Sequence, residues 1–335
     1  MPALPVVAIG ALGGTIAMRP AAPGEPVAPG LTADDLVAAV PRLEEIARIR
    51  THTICNVGSP SITFDHLLAA LEWADEQVRA GAAGVVLTHG TDTMEESVYF
   101  LDLLWRHEAP LVLTGAMRSA QEPGADGPAN IVAAAIVAAS PGARGLGALV
   151  VMDDEVHLGD RVTKTHATAL APFDSPYGAP VGRVEEGRLL LDYLPAETRP
   201  PALPTPERRD VRVALLEAFV DDDGRMLQLA LEDGYDAVVV AGAGSGHVSQ
   251  EAADVVERAA RRIPVVVGTR SGGGRTTTRL YGYPGSESDL IRRGAVMAGS
   301  LNPLKARLLL WVLLATGADR QEIAEAFLVR GRQAR

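Results

Sequence analysis

The sequence predicts an α/β protein: a larger N-terminal domain on a doubly wound, mainly parallel sheet, then a smaller C-terminal α/β domain. Three observations carry this prediction. Short apolar runs alternate with segments of helical period through the first part of the chain. The length of 335 residues suggests two domains at ~150 residues each. Five prolines between Leu194 and Pro206 divide the chain, and such density reads as a linker.

The elements follow in order. Val6-Val7-Ala8-Ile9 is a short apolar strand. Thr32, with Asp35 three residues later, marks a helix start, because a threonine oxygen can accept the first free N–H groups of a helix. Residues 49–54 are strand-like. Phe64, Leu67, Leu68, Leu71, Ala74 and Val78 then fall on one face of a helix. Gly84-Val85-Val86-Leu87-Thr88 is a buried strand, followed by a helix through Tyr99 and Leu103. A strand at residues 111–114, a helix at 131–139 and a strand at 148–152 complete the alternation. Strands separated by helices imply parallel pairing with both sheet faces covered. The expected boundaries are residues 1–194 for the first domain, 195–210 for the linker and 211–335 for the second domain. That second domain carries strands near 211–216, 237–240 and 264–267. Its helices are expected near 250–261 and 303–316, the last with Pro303 at a favoured first-turn position.

Composition narrows the function classes. Hydrophobic residues make up 47% and aromatics only 4%, so the cores must be built from Ala, Val, Leu and Ile. A net charge of −11 opposes nonspecific binding to nucleic acid or to an anionic membrane surface. Cys55 is the only cysteine; an intrachain disulfide is impossible, and the thiol is expected to pack as a small hydrophobe in a strand. No signal peptide or bilayer-spanning run is read, which makes the cytoplasm the expected compartment.

Two threonines stand where chemistry is expected. Thr15, in Gly13-Gly14-Thr15-Ile16-Ala17, and Thr91, in Thr88-His89-Gly90-Thr91-Asp92-Thr93-Met94-Glu95-Glu96, each follow a strand. Ligands of open α/β sheets bind outside the carboxyl ends of the strands. A threonine hydroxyl needs a base nearby, and a lysine serves when a dry site or a neighbouring charge favours its neutral form. The Gly90-Thr91 N–H groups suit an oxyanion hole, and the helix they open favours a carboxylate. His89 reads as a structural hydrogen-bonder. No dinucleotide Gly-x-Gly-x-x-Gly spacing, P-loop lysine, His-Glu-x-x-His pair or Gly-x-Ser-x-Gly elbow is present, and no metal or organic cofactor is expected.

Both threonine segments resemble the signature segments of the bacterial-type L-asparaginase (asparaginase/glutaminase) family. Val162-Thr163-Lys164-Thr165 matches the segment holding that family's lysine. The resemblance continues through Ser300-Leu301-Asn302-Pro303-Leu304-Lys305-Ala306-Arg307, nearly the whole chain. It implies hydrolysis of L-asparagine to L-aspartate and ammonia, with Thr15 as first nucleophile and a Thr91–Lys164–Asp92 relay. Glutaminase or dual activity is the alternative within that class, and a catalytically weak amino-acid-binding protein is the rival outside it. The resemblance maps the substrate's α-carboxylate to Ser59 and its α-ammonium to Asp92 and Glu287. It also implies a homodimer or homotetramer, Glu287 reaching the site from a neighbouring subunit. Three positions depart from the family's pattern. Residues 18–30, where its mobile lid carries a tyrosine, contain none; Pro60 follows the serine where Gln or Glu is frequent; and His247 stands where asparagine is frequent.

Overall fold

A computed structural model describes residues 3–20, 25–194 and 199–333. The chain forms two compact units, Met1–Ala202 and Leu203–Arg335. Unit 1 contains β1 (Val6–Gly13), β2 (Met18–Pro20), β3 (Val27–Pro29), α1 (Ala33–Ala38), α2 (Leu43–Ile46) and β4 (Arg48–Val57). It continues with α3 (Phe64–Arg79), β5 (Gly84–Thr88), α4 (Met94–Leu104), β6 (Leu111–Thr114), α5 (Gly127–Ala139) and β7 (Ala148–Met152). Five short strands follow: β8 (Glu155–Leu158), β9 (Thr163–Lys164), β10 (Phe173–Asp174), β11 (Gly182–Glu185) and β12 (Arg188–Leu191).

Eight strands form one sheet in the order β12-β11-β8-β7-β6-β5-β1-β4. From β4 to β7 every pairing is parallel, whereas β8, β11 and β12 extend it as an antiparallel edge. Strands β5, β6 and β7 are buried at every residue, which is why they read as unbroken apolar runs. Helices α1, α2 and α5 share one core with Val7, Ile9, Val86, Val112, Leu149 and Val151. On the opposite face α3 and α4 pack together through stacked Phe64 and Phe100, 5.0 Å between centroids. The alanine-rich α5 lies so close to the sheet that a Cβ on Gly84 would stand 2.2 Å from the Ala138 carbonyl oxygen. With so few aromatics the core gains density by close approach of small residues.

The helix start at Thr32 is a full capping box: its side chain accepts from the Asp35 N–H while Asp35 accepts from the Thr32 N–H. Cys55 is half-buried in β4, and burial pushes its thiol pKa up. Of the expected lid, residues 21–24 lie outside the described residues; on either side of them β2 and β3 pair antiparallel, Met18 with Pro29 and Pro20 with Val27. The expected linker begins at residues 195–198, which also lie outside the described residues.

Unit 2 contains β13 (Val213–Glu217), α6 (Arg225–Glu232), β14 (Ala237–Gly242), α7 (Gln250–Ala260), β15 (Val265–Thr269), α8 (Glu287–Arg292), β16 (Val296–Met297), α9 (Pro303–Ala315) and α10 (Arg320–Arg330). Its sheet runs β13-β14-β15-β16, parallel throughout. Asn302 caps α9 by accepting from the Lys305 N–H, with Pro303 in the first turn.

Candidate active site

Strands β4, β1 and β5 are neighbours and parallel, so the chain leaves all three at the same sheet edge. There three turns meet: Ser59–Ser61 after β4, Thr15–Ala17 after β1 and Thr91–Thr93 after β5. The Thr15 and Thr91 turns touch backbone to backbone, and the Ser59 side chain closes on Gly90. A Cβ on Gly14 would lie 2.2 Å from the Gly90 nitrogen, and one on Gly90 would lie 2.8 Å from Ser59 Oγ. Gly14 also holds φ 85 and ψ 179, a region only glycine enters without strain. The two glycines thus bring the Thr15 turn against the Thr91 turn.

Thr15 is half-buried, anchored by buried Ile16 and Ala17. Thr91 is almost fully buried, and its turn is tied to the neighbouring one by the Thr93 hydroxyl, which donates to the Ser59 carbonyl at 2.9 Å. Ser59 is buried beside Gly90, and Pro60 is exposed. Lys164, on β9, lies 3.0 Å through Nζ from Thr91 Oγ1 and 2.6 Å from Asp92 Oδ1. Its side chain is nine-tenths buried, while Asp92 is exposed. The Lys164 backbone is fixed in turn, its N–H donating to Glu95 Oε1 at 3.2 Å from the first turn of α4. An ammonium here donates to both the threonine and the carboxylate; after losing a proton it offers Thr91 a lone pair. Thr91, Lys164 and Asp92 therefore form one hydrogen-bonded chain, a hydroxyl joined to an amine that a carboxylate holds in place.

Unit 2 builds a polar cluster of its own. Glu287 opens α8 and is fully buried. Its carboxylate accepts from the N–H groups of Leu280 and Tyr281 and bonds to His247 Nε2 at 3.0 Å. The Tyr283 hydroxyl lies 2.7 Å from His247 Nδ1. Burial alone would push the Glu287 carboxyl up, but the N–H donors of Tyr281 and Leu280 and the His247 ring outweigh it and hold the group below the usual carboxylate range.

Thr91, Asp92 and Lys164 are thus within bonding distance, and Gly14 and Ser59 border Gly90. Sequence reasoning gave no role to Glu95 or Thr93, although both lie in the nonapeptide that drew attention to Thr91. Nor did it give a role to Tyr283; the His247–Tyr283 bond spans 36 positions, which no local pattern reveals.

An open α/β sheet with two threonine turns at its carboxyl edge, one bonded to a lysine–carboxylate pair, has the layout of a hydrolase. Comparison with known proteins refines this. Residues 6–196 match the family model "Asparaginase, N-terminal" and residues 212–327 match "Glutaminase/Asparaginase C-terminal domain". A protein of Deinococcus radiodurans named "Probable L-asparaginase" is 38% identical over 331 residues, covering 98% of each chain. A Haemophilus influenzae protein named "Probable L-asparaginase periplasmic" is 37% identical, covering 97% of this chain and 93% of its own. The crystal structure of a probable cytoplasmic L-asparaginase from Campylobacter jejuni superimposes with a TM-score of 0.85 at 31% identity, covering 97% of this chain and 99% of that one. The chain belongs to the bacterial-type asparaginase/glutaminase family and is a hydrolase of that family.

Proposed function

We propose that the chain hydrolyses L-asparagine to L-aspartate and ammonia through a threonine acyl-enzyme. The observation that carries this reading is the 3.0 Å approach of Lys164 Nζ to Thr91 Oγ1 with Asp92 2.6 Å beyond, beside a Thr15 turn seated on Gly90. Thr15 Oγ1 attacks the side-chain amide carbon, its proton passes to the amide nitrogen, the C–N bond breaks, and the nitrogen leaves as ammonia. Water then enters, loses its proton to the Thr91–Lys164 pair, and cleaves the ester to aspartate. The Gly90-Thr91 N–H groups hold the oxyanion of each tetrahedral intermediate. Ser59 takes the substrate's α-carboxylate and Asp92 its α-ammonium.

The same proposal extends to assembly: a homodimer or homotetramer in which Glu287 of a second copy approaches the α-ammonium, its place held by His247. Glutamine is the second substrate to be weighed, favoured by the Glutaminase/Asparaginase match over residues 212–327, since one methylene changes binding by only ~1–3 kcal/mol in a simple pocket.

Ammonia release from L-asparagine and L-glutamine at saturating concentration, by the intact chain and by Thr15→Ala and Thr91→Ala, tests the reading. Turnover of asparagine that both substitutions abolish is expected. Tight binding of asparagine or aspartate without turnover would instead make the chain an amino-acid-binding protein.

A further inference from the structure

His89 is fully buried between the end of β5 and the Thr91 turn, and the chemistry above leaves it unused. Its Nδ1 lies 2.6 Å from the Gly90 carbonyl oxygen. A carbonyl oxygen only accepts, so the proton of this bond resides on Nδ1. The other tautomer would set two lone pairs face to face at that distance. Nε2 therefore carries the lone pair, and it has no hydrogen-bond partner among the described residues. Burial pushes the imidazole pKa down to about 4, so the ring stays neutral and keeps this tautomer at neutral pH.

The carbonyl that His89 holds belongs to the peptide joining Gly90 to Thr91. That peptide is rigid and planar, so fixing its oxygen fixes the direction of the Thr91 N–H on its opposite side. Donation to the carbonyl also polarises the N–H of the same amide. Other contacts leave the turn little room to readjust. The His89 N–H donates to the Thr114 carbonyl at 2.8 Å, and a Cβ on Gly115 would meet the His89 oxygen at 2.5 Å.

We infer that His89 is a positioning residue: its Nδ1–H pins the Gly90–Thr91 peptide so that the Thr91 N–H points at the carbonyl oxygen of the substrate amide. The inference rests on the asparaginase reading for its catalytic half, and on geometry alone for the pinning. His89 touches no reacting atom; it acts through the amide it orients.

Two substitutions separate this role from packing. Asparagine places an N–H donor near the Nδ1 position but leaves much of the ring's volume empty. Glutamine retains more volume but carries its amide out to the Nε2 position, where nothing waits for it. His89→Asn is expected to keep most of kcat, and His89→Gln to lose about 10- to 100-fold with KM little changed, somewhat less than the ~10²–10³ that follows complete removal of an oxyanion donor. The reverse ranking, with glutamine the better replacement, would show that His89 only fills space and would overturn the inference.

The amide resonance of Thr91 gives a readout that needs no turnover. His89→Gln should shift it strongly and His89→Asn only slightly; equal shifts in the two variants would overturn the pinning. An intact chain that releases no ammonia would remove the asparaginase reading and the catalytic half of the inference, and the Thr91 resonance would still decide whether His89 holds the peptide.

Discussion

Gly14→Ala tests most sharply how the two threonine turns are held together. The added Cβ would stand 2.2 Å from the Gly90 nitrogen, 2.3 Å from its Cα and 2.7 Å from the His89 carbonyl carbon. All three are backbone atoms, so no side chain can rotate away. Relief requires the Thr15 turn to retreat by roughly 1 Å, since carbon contacts settle near 3.5 Å or beyond. At φ 85 and ψ 179 a non-glycine residue adds about 1–3 kcal/mol of backbone strain. A displacement of that size at reacting groups costs roughly 10²-fold in rate, and the strain lowers Tm by about 3–10 °C. The assay is ammonia release per folded molecule together with a thermal melt. A kcat about 100-fold below wild type in a folded protein is expected. Unchanged kcat and Tm would show that the Gly14–Gly90 contact does not set the distance between the two hydroxyls.

Further outcomes follow from the same structure. Asp92→Asn removes the charge that holds Lys164 at 2.6 Å; kcat is expected to fall by about 10²-fold or more, since charge-assisted hydrogen bonds are roughly twice as strong as neutral ones, with KM for asparagine rising because the ammonium loses a partner. Activity equal to wild type would remove Asp92 from the relay. Gly84→Ala forces Ala138 and α5 away from the sheet; overpacking of this kind costs about 1–3 kcal/mol, read by urea unfolding, while kcat per folded molecule should hold. His89 gives a pH dependence whose sign is fixed. The unfolded imidazole takes up a proton near its ordinary 6.5 but the folded one only at about 4, so stability present above pH 6.5 is lost as pH falls to 4. The loss amounts to about 3 kcal/mol. Urea unfolding across that window should show the loss in wild type and much less of it in His89→Asn; identical profiles would mean the ring is not buried as neutral imidazole.

The parts of the fold that were legible are those where burial acts on both faces. Gly84–Thr88, Leu111–Thr114 and Ala148–Met152 are strands over the residues expected, because each had to be apolar throughout. The antiparallel edge of β8, β11 and β12 was not legible. Its tight hairpins turn on Asp153-Asp154 and Glu186-Gly187, all at positive φ, and tight primed turns are usually announced by Asn-Gly or Asp-Gly. Helix α10 was also missed, although Asp319 and Glu322 form its capping box, because its apolar face is short: only Ile323 and Phe327 are buried. In the site, Thr91 and Asp92 stood out through their segment. Lys164 is 73 positions from Thr91 and could be paired with it only through the family resemblance. The burial of Glu287 beneath His247 depends on tertiary packing around α8, which leaves no mark in the local sequence.

The central claim is that Thr15 carries the acyl group and that the Thr91–Lys164 pair helps water remove it. Lys164→Met leaves the first hydroxyl in place and disables the second step. Rapid quenching of this variant with L-asparagine, followed by mass spectrometry of its peptides, tests the claim directly. An aspartyl ester accumulating on Thr15, with ammonia released once per chain and little thereafter, is the predicted result. An ester on Thr91, or steady turnover at the wild-type rate with no ester, would contradict it.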